Sequence, residues 1–235
     1  MSVREKKGLR FEDKVAIVTG GCQGIGRGCV DVLVEEGGKV AVFDIKDSVG
    51  KDLASGCHNV IYIHCDVRND DEMKNGVQSV IQNFGKLDLL VNNAGYAPHA
   101  HVIDDVIPKD FRDLLNLNLI SYYTMCKFSL PHLRKSKGNI VNISSIGSSS
   151  AARGMSMYCA TKNILTRYFI VWPKKHPCLV ICLLGLKGSE DLLQTVLVLY
   201  LRLSQGLNVF QQSCMLQPAY QKLLVHGILK QRIFF

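Results

Sequence analysis

No two of the nine cysteines are spaced C-x-x-C, and no regular framework relates them, so a disulfide scaffold is excluded and the thiols read as reduced and intracellular. The charged opening M-S-V-R-E-K-K-G-L-R-F contains no apolar run of the kind a secretory leader or N-terminal anchor requires. The cytoplasm is therefore the expected compartment. Long hydrophobic runs are also missing: the apolar stretches 178–186 and 192–201 are too short to span a bilayer and are separated by Lys187, Glu190 and Asp191. A membrane partner is not expected. Internal repeats and low-complexity linkers are absent, and acidic residues become scarce late in the chain. Residues 1–162 carry 20 basic and 18 acidic side chains, net +2, whereas the last 73 residues carry 8 and 2, net +6. Those late basic residues are scattered among leucines and are not interleaved with stacking aromatics, which argues against a nucleic-acid groove. The asymmetry marks two regions of different character.

What is present suits one sizeable domain: 235 residues with 47% apolar content can bury a full sheet-and-helix core. Short β-branched runs alternate with helical patterns, the signature of βαβ units around a parallel sheet. Strands are expected at 15–19, 39–43, 60–64, 87–91 and 139–144. Helices are expected at 25–36, 48–55, 70–84, 109–133 and 155–171. The fold class is α/β, a doubly wound parallel sheet of Rossmann type, whose ligands bind beyond the carboxyl ends of the strands.

Several patterns carry chemistry. The first strand runs into T-G-G-C-Q-G-I-G, which places Gly20, Gly24 and Gly26 at a turn and helix start, where a backbone without side chains can approach a pyrophosphate. Asp44 ends the second strand, where its carboxylate can accept from ribose hydroxyls and repel a 2′-phosphate. That favours NAD, although nearby Lys46 leaves NADP open; a helix-cap role is the alternative for Asp44. Asp66 is either an adenine contact or a helix cap. N-N-A-G at 92–95 suits backbone passing close to a cofactor, with amide side chains pinning neighbouring strands. His99 and His101 could ligate a metal, but two ligands without a carboxylate make a weak site, and no metal is expected. Asn142-Ile-Ser144 matches a glycosylation acceptor, a pattern made irrelevant by its place on a core strand. Tyr158 and Lys162, four residues apart in Y-C-A-T-K, share one helical face, where the ammonium can stabilise a phenolate and make it a usable base.

Taken together, T-G-x-x-x-G-x-G at 19–26, Asp66, N-N-A-G, Asn118, Ser145, Tyr158 and Lys162 fall in the order of a classical short-chain dehydrogenase/reductase, and the stretch from 11 to 162 resembles that family. Phrases such as L-P-H-L-R-K-S-K-G-N-I-V-N-I-S-S resemble its 17-beta-hydroxysteroid dehydrogenase members more closely. The resemblance implies an oxidoreductase that interconverts a secondary alcohol, such as a hydroxysteroid or a sugar, with a ketone. It implies catalytic roles for Tyr158, Lys162, Ser145 and Asn118. It further implies an NAD site at Gly20, Gln23, Gly24, Ile25, Gly26, Asp44, Asp66, Val67, Asn93, Ala94 and Gly95, completed by Tyr158 and Lys162. Asn118 would hold a water that relays the proton, and Ser145 would bond the substrate oxygen. Partner copies would pair through the long helix and the Tyr158 helix.

After Lys162 the chain departs from the family. A small, alanine-rich helix should continue, followed by a sixth strand ending in Pro-Gly with a threonine shortly after. Here N-I-L-T-R-Y-F-I-V-W-P brings bulky residues and a helix-ending Pro173. Residues 178–184 could form the sixth strand without that proline. The tail holds 16 leucines in 73 residues, with helical patterns at 191–204 and 220–230. It reads either as an unusual substrate domain or as a frameshifted, read-through or alternatively spliced ending. On this basis the core is assigned to 11–171 and a divergent tail to 172–235, and the tail puts in doubt both pairing through the Tyr158 helix and turnover itself. The rival to an active dehydrogenase is an NAD-binding variant that turns over little.

Overall fold

The computed structural model describes residues 9–148, 153–170 and 180–185. All of them lie in one compact unit, residues 1–190. Trp172, Pro173 and the two helical patterns expected in the tail lie outside the described residues.

Six parallel strands form one sheet in the order β3-β2-β1-β4-β5-β6. They are β1 (Val15–Thr19), β2 (Lys39–Asp44), β3 (Val60–His64), β4 (Leu89–Asn92), β5 (Asn139–Ser145) and β6 (Val180–Gly185). Between them run α1 (Gly24–Glu35), α2 (Asp47–Gly56), α3 (Asp70–Phe84), α4 (Pro108–Leu115), α5 (Ser121–Ser136) and α6 (Ser156–Ile170). Strand order reverses between β1 and β4, which creates the crevice at the carboxyl edge where ligands bind in such sheets.

The strands read as near-continuous apolar runs because both faces are covered. Val15 and Ile17 of β1 pack with Met73, Val77 and Val80 of α3 and with Tyr122, Met125 and Leu133 of α5 in one buried cluster. Period-2 alternation sends Ala16 and Val18 to the opposite face. Val30 and Leu33 of α1 and Val40 and Val42 of β2 are likewise fully buried. The chain enters the sheet under tight control: Asp88, almost buried, accepts the Val15 N–H at 3.0 Å and is flanked by Lys14 and Lys86 at 3.4 and 3.5 Å.

Most expected elements are found within a residue or two. The fourth strand runs from Leu89, two residues later than expected, although the Asp88 main chain already bonds Val15 and Asn139 on either side. The expected helix 109–133 is interrupted. Residues Asn116–Ile120 form a π-helical turn between α4 and α5, an irregularity often found at functional sites. The sixth strand forms at Val180–Gly185, in register with Ile140–Ser145.

Replacing Asp88 with alanine strands the buried Val15 N–H, so unfolding in urea should show a loss of about 2 kcal/mol with an unchanged denaturant slope. A loss below about 0.5 kcal/mol would mean that the Asp88 contact is incidental.

Candidate active site

At the carboxyl end of β1 the backbone turns through two left-handed glycines, Gly20 (φ +64°) and Gly24 (φ +52°), conformations that other residues adopt only with strain. A Cβ on Gly26 would fall inside the Gly20 carbonyl, so the turn closes onto α1 only because residue 26 lacks one. No heavy atom lies within 4 Å of where a Cβ on Gly24 would stand. Gln23, the N-cap residue, makes no side-chain cap bond, and the first turn of α1 carries no acid. The amide dipoles of that turn therefore face outward without a built-in anion, a geometry that fits a pyrophosphate. Ile25 is half-buried beneath the turn, and the exposed Gln23 side chain accepts from Lys46 Nζ.

Asp44, at the end of β2, is 8% exposed, and its carboxylate accepts Cys22 N–H at 2.9 Å and Lys46 N–H at 3.1 Å. It does not cap α2, whose N-cap is Lys46. Two lone pairs on each oxygen leave it able to accept ribose hydroxyls as well. Burial, reinforced by Asp44, pushes the Cys22 thiol up to about 12, so this cysteine in the phosphate turn stays protonated. Asp66, beyond β3, is wrapped by Arg68 through bonds of 2.5 to 3.1 Å, and that guanidinium holds its carboxyl below the ordinary range. The cap of α3 is Asn69, which accepts from Asp71 and Glu72 N–H, while Glu72 accepts Asp66 N–H at 2.7 Å. The Val67 side chain is buried in the core, so only its main chain could meet an adenine.

The N-N-A-G amides pin both neighbouring strands. Asn92 Nδ2 donates to Asn142 Oδ1 on β5 at 2.8 Å. Asn93 Nδ2 donates to the Thr19 and Gly20 carbonyls at 2.9 and 3.1 Å, and Thr19 Oγ1 accepts the Asn93 and Ala94 N–H groups at 2.9 and 3.0 Å. Gly95 then faces the π turn. A Cβ there would stand 3.1 Å from Asn118 Oδ1 and 3.7 Å from Lys162 Nζ.

Asn118, fully buried in the π turn, clamps the chain after β4: its Oδ1 accepts Tyr96 N–H at 2.9 Å and its Nδ2 donates to the Tyr96 carbonyl at 2.9 Å. Nδ2 also reaches Thr161 Oγ1 on α6 at 3.3 Å. Tyr158 and Lys162 share one face of α6. Lys162, 4% exposed, donates to the Ile143 carbonyl of β5 at 3.0 Å and lies 5.2 Å from the Tyr122 ring centre and 6.0 Å from that of Tyr158. Ser145 ends β5, and its Oγ accepts Gly147 N–H at 3.1 Å. Gly147 in turn backs onto Tyr158, with a Cβ position 3.5 Å from the ring. The structure thus gathers Tyr158, Lys162, Ser145, Asn118 and Gly95 at the carboxyl ends of β4 and β5, beside the glycine turn.

His101 Nδ1 lies 2.7 Å from the His99 carbonyl. Among the described residues no three metal-ligating side chains gather, and no helix is long and apolar enough to cross a membrane.

With this geometry in place, similarity to known proteins becomes decisive. A short chain dehydrogenase family model matches residues 14–172. The chain belongs to that family. L-fucose dehydrogenase from Bos taurus is 40% identical over 159 residues, which cover 68% of this chain and 59% of that one. Secoisolariciresinol dehydrogenase from Forsythia intermedia is 34% identical over 158 residues, 66% of this chain and 57% of that one. A 3-ketoacyl-(acyl-carrier-protein) reductase from Brucella melitensis, complexed with NADH, superposes with a TM-score of 0.65 at 26% identity over 67% of each chain. The match to the Bos taurus protein spans 59% of that protein's length.

Sequence reasoning missed Thr19 and Thr161. Thr161 sits between Tyr158 and Lys162, donates to the Tyr158 carbonyl at 2.8 Å and receives Asn118, tying the tyrosine helix to the π turn. Its place three residues after the tyrosine on a helix was the available signal. Thr19→Val, which keeps the shape but removes the acceptor for two N–H groups, should lower stability by about 2–3 kcal/mol in chemical denaturation. Wild-type stability in that variant would show that water replaces the hydroxyl.

Proposed function

We propose that the chain is an NAD-dependent oxidoreductase that interconverts a secondary alcohol and a ketone. The observation that carries this reading is the placement of Tyr158 and Lys162 against the end of β5, with Ser145 held beside them by Gly147. NAD is favoured because Asp44 supplies a buried carboxylate where a 2′-phosphate would be repelled, and because the superposing reductase is complexed with NADH. When bound, the dinucleotide accepts or supplies the hydride. Gly20, Gln23, Gly24, Ile25 and Gly26 would hold its pyrophosphate, Asp44 its adenosine ribose, and the Asp66–Val67 segment its adenine. Asn93, Ala94 and Gly95 form the floor beneath it.

In the oxidation direction the Tyr158 phenolate takes the substrate's proton and becomes the hydroxyl, and in reduction that hydroxyl returns one. The Lys162 ammonium offsets negative charge at that proton acceptor. Ser145 Oγ accepts from Gly147, which leaves its own proton to donate to the substrate oxygen as that atom becomes a carbonyl. Asn118 accepts and donates to Tyr96 and keeps one Oδ1 lone pair on the Gly95 side, where a relay water would be received. Polyhydroxylated, sugar-like alcohols fit the relatives named for L-fucose. Hydroxysteroids fit the resemblance of L-L-N-L-N-L-I-S-Y-Y-T and L-P-H-L-R-K-S-K-G-N-I-V-N-I-S-S to 17-beta-hydroxysteroid dehydrogenase type 14.

A second reading, a chain that binds NAD but turns over little, draws on the family match ending at residue 172. One experiment separates the two. Purified full-length protein is given NAD with a panel of sugar and steroid alcohols, and NADH absorbance is followed alongside NAD-induced thermal stabilisation. The enzyme reading expects turnover that falls about 10²- to 10⁴-fold in Tyr158→Phe while the stabilisation is kept. Stabilisation without turnover in the wild type would favour the binder. Absence of both would sink the two readings together.

A further inference from the structure

Beside the adenosine end of the site lies a cluster of titratable groups with no part in the proton transfer. Tyr62 and His64 are two residues apart on β3 and so share a face, and Asp47 opens α2 opposite them. Asp47 Oδ1 lies 2.7 Å from Tyr62 Oη and 2.7 Å from His64 Nδ1. Tyr62 Oη also lies 2.8 Å from the main-chain carbonyl of Asp44, which receives Cys65 N–H at 3.1 Å. Gly50, one turn into α2, makes room for this arrangement: a Cβ there would fall inside the Tyr62 ring.

We propose that His64, Asp47 and Tyr62 form a positioning relay on the main-chain carbonyl of Asp44, so that the charge on His64 tunes how firmly the backbone carrying the ribose-accepting carboxylate is held, and with it dinucleotide affinity. The inference rests on the reading of Asp44 as the ribose acceptor. The physical argument turns on one proton. Tyr62 has a single hydroxyl hydrogen and two acceptors within reach, Asp44 O and Asp47 Oδ1. A protonated His64 competes with Tyr62 for the Asp47 carboxylate, so the tyrosine hydrogen is shared further toward the Asp44 carbonyl. A neutral His64 leaves that carboxylate uncompensated, and it draws the hydrogen away. The Asp44 carbonyl then keeps Cys65 N–H as its main partner, while Cys22 and Lys46 continue to hold the carboxylate.

The groups facing His64 all favour its charged form. Asp47 approaches from α2, Glu72 from α3 with Oε2 4.0 Å from Nε2, and Asp66 from the loop beyond β3, itself bound to Arg68. Lys51, on α2, acts on Asp47. Hydrogen bonding to Asp47 raises His64 above the ordinary imidazole value, and bonds from Tyr62 and His64 lower Asp47. The relay is therefore complete at pH values above the lowered Asp47 value and below the raised His64 value. It is lost as pH rises through the latter. His64 and Asp47 are each about half exposed, so water screens the effect and a change of a few-fold is expected.

The test is calorimetric titration of the full chain with NAD from about pH 6 to about pH 8.5. Wild-type affinity should weaken about two- to fivefold across that range. His64→Gln, which donates at every pH, should bind with a flat profile, and Tyr62→Phe should be flat and weak throughout. A wild-type slope retained in either variant overturns the relay. If the wild type binds no NAD at any pH, the Asp44 reading fails instead. The relay is then decided by the histidine NMR titration of the free protein, where a His64 midpoint unmoved by Asp47→Asn or Tyr62→Phe would overturn it.

Discussion

The crevice exists because two strands that neighbour in space but not in sequence are stitched at their ends. Thr19 closes β1 with a hydroxyl that accepts two successive N–H groups from the segment after β4, and Asn93 returns its amide to the Thr19 and Gly20 carbonyls. The strand order reverses here, so the two connections leave in opposite directions and the floor between them would otherwise consist of unpaired backbone. With those groups satisfied internally, Gly20 can adopt its left-handed conformation and Gly26 can pass directly beneath its carbonyl. The outward amides of α1 are then positioned by the sheet itself, and no flexible loop intervenes.

The proton-transfer half of the site hangs from the same stitch through the π turn. A regular helix from residue 108 to 136 would carry Asn118 past the β4 loop at the wrong angle or height. Widening one turn at Asn116–Ile120 aims its amide at both polar atoms of the Tyr96 main chain. Because the amide is buried and bonds both polar groups of the Tyr96 main chain, it fixes the backbone of that residue beside Gly95. Thr161 carries that fixation across to α6. The tyrosine helix is thereby registered against β4 as well as β5, and a misplacement of even 1 Å at such a site is expected to cost catalysis heavily.

Legibility in the sequence followed the range of the interactions involved. α3 was placed without error at Asp70–Phe84 because its signals are local: an Asn69 cap, acids in the first turn and a left-handed Gly85 at the end. β3 was equally plain as a five-residue β-branched run. The start of β4 was placed two residues early because Leu87 and Leu89 look alike in sequence. The π turn left no local trace, since N-L-N-L-I has an ordinary helical pattern and its irregularity is imposed by what Asn118 must reach. The candidate residues could be named from type and spacing, but their partners could not. That Asp66 is wrapped by Arg68, and that Lys162 points at the Ile143 carbonyl, are facts of folding at a distance.

These contrasts bear on how such a site divides its work. Gln23 and Gly24 of the proposed phosphate turn are exposed and Tyr158 and Ser145 half-buried, but Asn118 and Lys162, which tie the proposed proton-transfer site to the rest of the fold, are buried and hydrogen-bonded. The segment just beyond Gly95 has the opposite character: Tyr96 is 54% exposed and Val102, Ile103 and Ile107 between 58% and 83%. A fixed frame beside an exposed rim is an arrangement in which loop changes can vary what is bound while the frame is kept. In the proposed function the frame would fix where a hydroxyl stands relative to Tyr158 and Ser145, and the rim would select the molecule that brings it. The Asn118 clamp meets this segment at the main chain of Tyr96, so the exposed side chains beyond residue 96 lie outside the bonds that fix Asn118.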